Sequence, residues 1–163
     1  IFWDDEVKSW LDISKNDSVA VTGVRNGTSL RGEVHDDNAF VLRERVSHAG
    51  IFATVNGLCR SILNLQEKYN FIDILLNELK EHNGERFVLG WDRAVDLDNT
   101  LAGKGVSRNT IGHLGFTGTS LWIDLDKKIG SVILTNGTRN FWYDKDGLNN
   151  LRRKIGSYIW KHF

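Results

Sequence analysis

The chain has 163 residues, enough for one domain with a core of its own, and its 21 basic and 21 acidic residues cancel to zero net charge. Those charges are scattered, so no basic stripe marks a nucleic-acid footprint, and the apolar runs fall far short of the ~20 residues of a membrane span. A single cysteine, Cys59, excludes an internal disulfide framework and a Cys-X-X-Cys metal site; it reads as a small buried residue on a helix. Methionine and proline are both absent, against an average proline usage of about 5%, and no targeting segment is visible at Ile1. The simplest expectation is a piece of a longer polypeptide.

In chain order, the acidic and aromatic stretch from Phe2 to Ile13 suggests a short helix. Val19 to Arg31 reads as extended chain broken by a turn at Arg25-Asn26-Gly27. Gly32 to Gly50 carries glycines and histidines without a sustained period, which predicts a structured loop. From Gly57 the pattern is helical: Leu58, Ile62 and Leu65 form one set, and Ile72, Leu75, Leu76 and Leu79 form a second after Asn70, closed by Asn83-Gly84. Arg86 to Trp91 is a short strand candidate, followed by polar loop from Asp92 to Ser107. Three strands then come close together, Thr110 to Gly115, Ser120 to Leu125 and Ile129 to Thr135. Asp126-Lys127-Lys128 joins the last two as an antiparallel hairpin. A closing helix runs from about Asp146 to Trp160. Leu148, Leu151, Ile155 and Ile159 make its apolar stripe, with Arg152, Arg153 and Lys154 largely off it. Helices before and after a small antiparallel sheet make a single α+β domain over residues 1–163. Trp3, Trp91, Trp122, Trp142 and Trp160 read as core or groove lining.

The strongest local signal runs from Ile111 to Asp124. His113 stands between glycines, Gly115 and Gly118 thin the chain, Thr117, Thr119 and Ser120 bring hydroxyls, and Leu121, Ile123 and Leu125 anchor one face. A glycine-thinned strand edge offers the backbone N–H groups that an oxyanion hole requires. A glycine-rich bulged strand with a solvent-facing histidine fits the same spacing, and spacing alone favours it.

The segment resembles the third active-site motif of the class C β-lactamases and their penicillin-binding-protein-like esterase relatives. There a Lys-Thr-Gly or His-Thr-Gly triplet lies on a strand beside the nucleophile. The resemblance extends to Ser120-Leu121-Trp122-Ile123-Asp124, to Val132-Ile133-Leu134-Thr135-Asn136, to Gly32-Glu33-Val34-His35-Asp36-Asp37-Asn38-Ala39 and to Ser47-His48-Ala49-Gly50-Ile51-Phe52-Ala53-Thr54. It implies a β-lactamase/transpeptidase-like fold, a bacterial envelope setting, no cofactor or metal, and a small ester, amide or β-lactam-like substrate cleaved through an acyl-enzyme. His113 would hold the basic position of the motif and steady charge or relay a proton. Phe116 would offer its backbone N–H as an oxyanion donor, and Gly115 would let the acyl group lie against the strand. Thr117, His35, Asp36, Asn38 and His48 would line or brace the same cleft.

The departures from the pattern are equally informative. The family's nucleophile begins a Ser-X-X-Lys helix, yet none of the serines here has lysine three residues later. Nor is Tyr69, Tyr143 or Tyr158 followed at two residues by Asn or Ser, as the second motif demands. Both motifs lie upstream in the family, so the resemblance implies a C-terminal portion that is inactive alone and is completed by a nucleophile-bearing N-terminal portion. A non-catalytic binding module, or a piece completing another chain, remains the alternative. Leu114 replaces the usual threonine and cannot donate to a substrate carboxylate, which disfavours β-lactams more than esters. Other chemistries lack their patterns: there is no Gly-X-Ser-X-Gly elbow, no phosphate loop and no His-X-X-X-His pair, and a zinc site from His35, Asp36 and His48 has no support.

Overall fold

The computed structural model describes residues 2–14, 18–140 and 144–163. Strand β1 (Val7–Ser9) and a single 3-10 turn (Trp10–Asp12) stand where a short helix was expected. β1 pairs antiparallel with β4 (Ile51–Ala53). β2 (Val21–Arg25) and β3 (Thr28–Arg31) are the extended chain on either side of the expected turn and pair as a hairpin, with Asn26 and Gly27 both at positive φ, 50° and 79°. Within the predicted loop lies a short helix, α1 (Asp37–Leu42). The Asp36 carboxylate caps it by accepting from the Ala39 N–H at 2.8 Å. With six residues and only Ala39 buried, it is too short to leave a period in the sequence.

α2 (Val55–Tyr69) and α3 (Phe71–Glu81) follow the two apolar sets, divided at Asn70, which turns left-handed at φ 52°. The N-terminal segment is tied to α2: Arg60 Nε donates to Asp4 at 2.6 Å and the Asp4 N–H donates to Ser61 Oγ at 2.9 Å. Cys59, on the same helix, is exposed rather than buried. A short side chain on an amphipathic helix carries no information about which side of the stripe it falls on.

The sheet is five-stranded and antiparallel throughout, in the order β5 (Phe87–Val88), β6 (Trp91–Arg93), β7 (Thr110–Leu114), β8 (Ser120–Asp124), β9 (Ile129–Ile133). The single strand expected at Arg86 to Trp91 folds back at Leu89-Gly90, both at positive φ, to give β5 and β6. Period-2 alternation sorts the sheet residues onto two faces. Val88, Ile111, Ile123 and Leu125 pack with Leu75 and Leu79 of α3. Ala94 and Trp122 pack on the other face with Ala102, Val106 and Trp160. That second face is covered by α5 (Lys145–His162), which follows the short α4 (Gly137–Asn140). Gly112 is obligatory where the layers meet, because a Cβ there would sit 2.2 Å from the Trp122 ring and 2.4 Å from the Leu121 carbonyl.

α5 corrects the predicted stripe. Its buried residues are Arg152, Gly156 and Trp160, while Leu151 is exposed. The tryptophans also divide: Trp122 and Trp160 are core, Trp91 meets Phe71 with ring centroids 5.7 Å apart, Trp3 is exposed, and Trp142 lies outside the described residues. Asp124 is fully buried yet satisfied, accepting from the Ser107 N–H and hydroxyl at 2.8 Å each and from the Asp126 and Lys127 N–H groups at 3.1 Å. It thereby locks the β8–β9 turn to the loop before β7. The α+β architecture with an antiparallel sheet is the one the sequence predicts. No described helix is long and apolar enough to cross a membrane.

Candidate active-site flank

His113 ends up exposed near the tip of β7, in register with Leu121. It shares the face of Ile111, whereas Leu114 falls on the opposite face and packs against the Trp122 and Trp160 cluster. Leu114 therefore has a packing role on the α5 side.

Between β7 and β8 the chain makes a tight turn. The Gly115 N–H donates to the Thr119 carbonyl at 2.8 Å, and the Gly118 N–H donates to the Gly115 carbonyl at 3.0 Å. Gly118 needs φ +98°, which L side chains rarely adopt. At Gly115 a Cβ would lie 1.8 Å from Thr119 Oγ1, so a side chain at the position the resemblance gives to acyl binding would have to displace the Thr119 hydroxyl. Phe116 and Thr117 form the apex of the turn.

Three supports converge on this turn. From below, the Thr117 carbonyl accepts from the Gly137 N–H at 2.8 Å and from the Thr135 hydroxyl at 3.0 Å. From the α5 side, Arg152 Nη2 donates to the Thr119 carbonyl at 2.8 Å and to the Gly115 carbonyl at 3.3 Å. From the N-terminal side, the His35 ring meets Phe116 edge to face, with centroids 5.6 Å apart at 88°. The ring of His35 also covers Gly23, where a Cβ would approach it to 2.6 Å. Arg25 fixes the His35 backbone: its Nη2 donates to the Val34 and His35 carbonyls at 3.2 and 2.9 Å, and it pairs with Glu33 at 2.6 Å and Asp37 at 3.0 Å. Asn136 and Thr138 complete the link by donating to the Val21 and Thr22 carbonyls of β2. A cleft of about 910 Å³ opens beside the turn, lined by Leu114, Phe116, Thr135, Leu148 and Arg152 among others.

The structure thus brings His35 to the segment that holds His113, Gly115, Phe116 and Thr117. Asp36 and His48 pair with each other instead, with Asp36 Oδ1 3.2 Å from His48 Nε2, beside the start of α1. The capping Ala39 N–H and then His48 hold the Asp36 carboxyl below its usual value. Asn38 lies exposed in the first turn of α1. Among the described residues no group of three or more His, Cys, Asp and Glu side chains is placed to share a metal ion.

Two residues that contact the site were not singled out from the sequence. Arg25 carried no motif. Arg152 was assigned to the polar side of its helix, although Gly156 and Trp160 follow it at successive intervals of four and mark the close-packed stripe.

The helix-covered antiparallel sheet carries its glycine-rich β7–β8 turn beside a cleft, and its family match makes this a serine-hydrolase type of fold. The chain belongs to the Beta-lactamase family, whose model matches residues 4–153. It is 32% identical over 123 residues to an N-acetylmuramyl-L-alanine amidase of Bacillus subtilis (strain 168), a match covering 69% of this chain and 28% of that protein. The chain thus spans well under a third of the curated relative. No solved structure gives a significant match.

Proposed function

We propose that this chain forms the active-site-flanking, C-terminal part of a Ser-X-X-Lys serine hydrolase that cleaves an ester or amide through an acyl-enzyme. The observation that carries the reading is the β7–β8 turn, braced on three sides beneath the family's third motif. In the proposed reaction a serine outside these 163 residues attacks the substrate carbonyl and passes its proton to the neighbouring lysine. The Phe116 N–H, with the serine's own N–H, receives the developing oxyanion. His113 steadies charge or relays a proton to the leaving group, and water then hydrolyses the acyl-enzyme. Thr117 holds the turn through its carbonyl, His35 braces Phe116, and Asp36, Asn38 and His48 shape the adjoining loop.

The name of the Bacillus relative favours an amide substrate of the N-acetylmuramyl-L-alanine kind, and with it a bacterial envelope location. Leu114, packed towards α5, supplies no hydroxyl for a substrate carboxylate, which favours such amides and simple esters over β-lactams. The test is turnover of a short-chain p-nitrophenyl ester and of an N-acetylmuramyl-L-alanine amide by the native protein and its His113→Ala variant. The variant is expected to lose about 10²- to 10⁴-fold in kcat. Equal rates for the two proteins would contradict the role given to His113. The absence of any Ser-X-X-Lys in these residues favours a second reading, a ligand-binding or partner-completing module of the same fold. Ligand binding without turnover by the native protein would select it.

A further inference from the structure

We infer that Arg152 is a positioning residue for the β7–β8 turn, aiming the Phe116 N–H by holding the oxygen of the same peptide group; its catalytic consequence rests on the hydrolase reading above. Arg152 is 5% exposed, and no described carboxylate pairs with it. Its hydrogen bonds go to the Gly115 and Thr119 carbonyls through Nη2, and to Asn149 Oδ1 through Nη1 at 3.0 Å. Burying a guanidinium without a counter-ion is costly, and burial lowers its affinity for its proton. A leucine or methionine would fill the same stripe of α5 between the sheet and Gly156 without that cost. The donors therefore serve the turn.

The two carbonyls reached by one nitrogen belong to the two limbs of the turn, the same limbs joined by the Gly115 N–H to Thr119 carbonyl bond. The Gly115 carbonyl is also half of the Gly115–Phe116 peptide. A peptide group is planar, and the Gly115–Phe116 peptide is trans, so its N–H points opposite to its C=O. Pinning the Gly115 oxygen towards α5 consequently fixes the Phe116 N–H to point the opposite way within that plane, away from α5. A cation on the oxygen also polarises the peptide and strengthens its N–H as a donor. Arg152 thus acts on the proposed oxyanion site through a single peptide group, without touching substrate.

The test uses the native protein with its phenylalanines labelled with ¹⁵N, comparing Arg152→Met and Arg152→Lys with the parent. The Phe116 amide proton is expected to move upfield in folded Arg152→Met and partway in Arg152→Lys. For a short-chain p-nitrophenyl ester, kcat is expected to fall about 10- to 100-fold in Arg152→Met with KM little changed, less than the loss of a direct oxyanion donor. A Phe116 amide that stays in place in the folded variant overturns the inference. So does an unchanged kcat in a protein whose parent takes up a fluorophosphonate probe. If the parent takes up no probe, the hydrolase reading fails and the Phe116 amide alone decides what Arg152 does. Should Arg152→Met not fold, Asn149→Ala, which removes one restraint on the guanidinium, is expected to give the same shift with a smaller amplitude, and no shift there overturns the inference.

Discussion

Two arginines brace the β7–β8 turn and the His35 segment beside it, and they are solvated in opposite ways. Arg25, on the N-terminal side, satisfies its charge with Glu33 and Asp37 and lies 4.0 Å over the Phe40 ring while it grips the Val34 and His35 carbonyls. Arg152, on the sheet side, is buried against backbone carbonyls and Asn149. Asp37 is 88% exposed, so part of the first cluster is open to salt and water, whereas Arg152 is 5% exposed and without a described ion-pair partner for salt to screen. The loop bearing His35 is therefore adjustable by its surroundings, and the turn bearing Phe116 is fixed by the core.

The most severe way to break the fixed side is to disturb its packing. Gly112→Ala places a methyl group into the Trp122 ring and the Leu121 carbonyl, and is expected to cost about 3 kcal/mol or more in urea unfolding. On the adjustable side, Arg25→Met keeps the stacking volume but leaves the Val34 and His35 carbonyls without their donor and unpairs Glu33 and Asp37. It is expected to cost about 1–2 kcal/mol and to speed amide exchange from Val34 to Asp36. High salt should move the parent towards that variant in exchange at Val34 to Asp36 while leaving the Gly115 to Thr119 amides unchanged. Asp36→Ala removes the cap of α1 and frees His48, for an expected loss of about 1 kcal/mol in thermal unfolding.

The smallest effect concerns the N-terminal tether. Arg60 holds the Asp4 carboxyl down to about 2 from an ordinary 3.8, chiefly through its hydrogen bond. A carboxylate whose folded value is depressed contributes stability above its unfolded value and loses it as pH falls towards the folded one. Unfolding midpoints should therefore drop between about pH 4 and pH 2 by more in the parent than in Asp4→Asn, and equal drops would remove the tether from the account.

The longer elements were legible because their patterns repeat. α2, α3 and the β8–β9 hairpin follow their apolar spacing, and the β2–β3 turn follows Asn26-Gly27. What escaped had too few residues to show a period, as with α1 and the β5–β6 hairpin, or broke the rule linking charge to exposure. Arg152 is the clearest case: the spacing to Gly156 and Trp160 puts it on the close-packed stripe, but its charge argues for the solvent side. The acceptors that draw it in, the Gly115 and Thr119 carbonyls, lie more than thirty residues away. Of the candidate site, the third-motif strand was visible through its glycines. The contact between His35 and Phe116 was not, because it depends on how β2 docks against α4 and the residue before it through Thr138 and Asn136.

If these residues flank a nucleophile supplied by another part of the polypeptide, a fluorophosphonate serine probe applied to the native protein, with mass-spectrometric mapping of the adduct, will find it there. One adduct is expected, on the serine of a Ser-X-X-Lys sequence outside the 163 residues. An adduct on a serine within them, or hydrolysis that proceeds with no adduct at all, would contradict it.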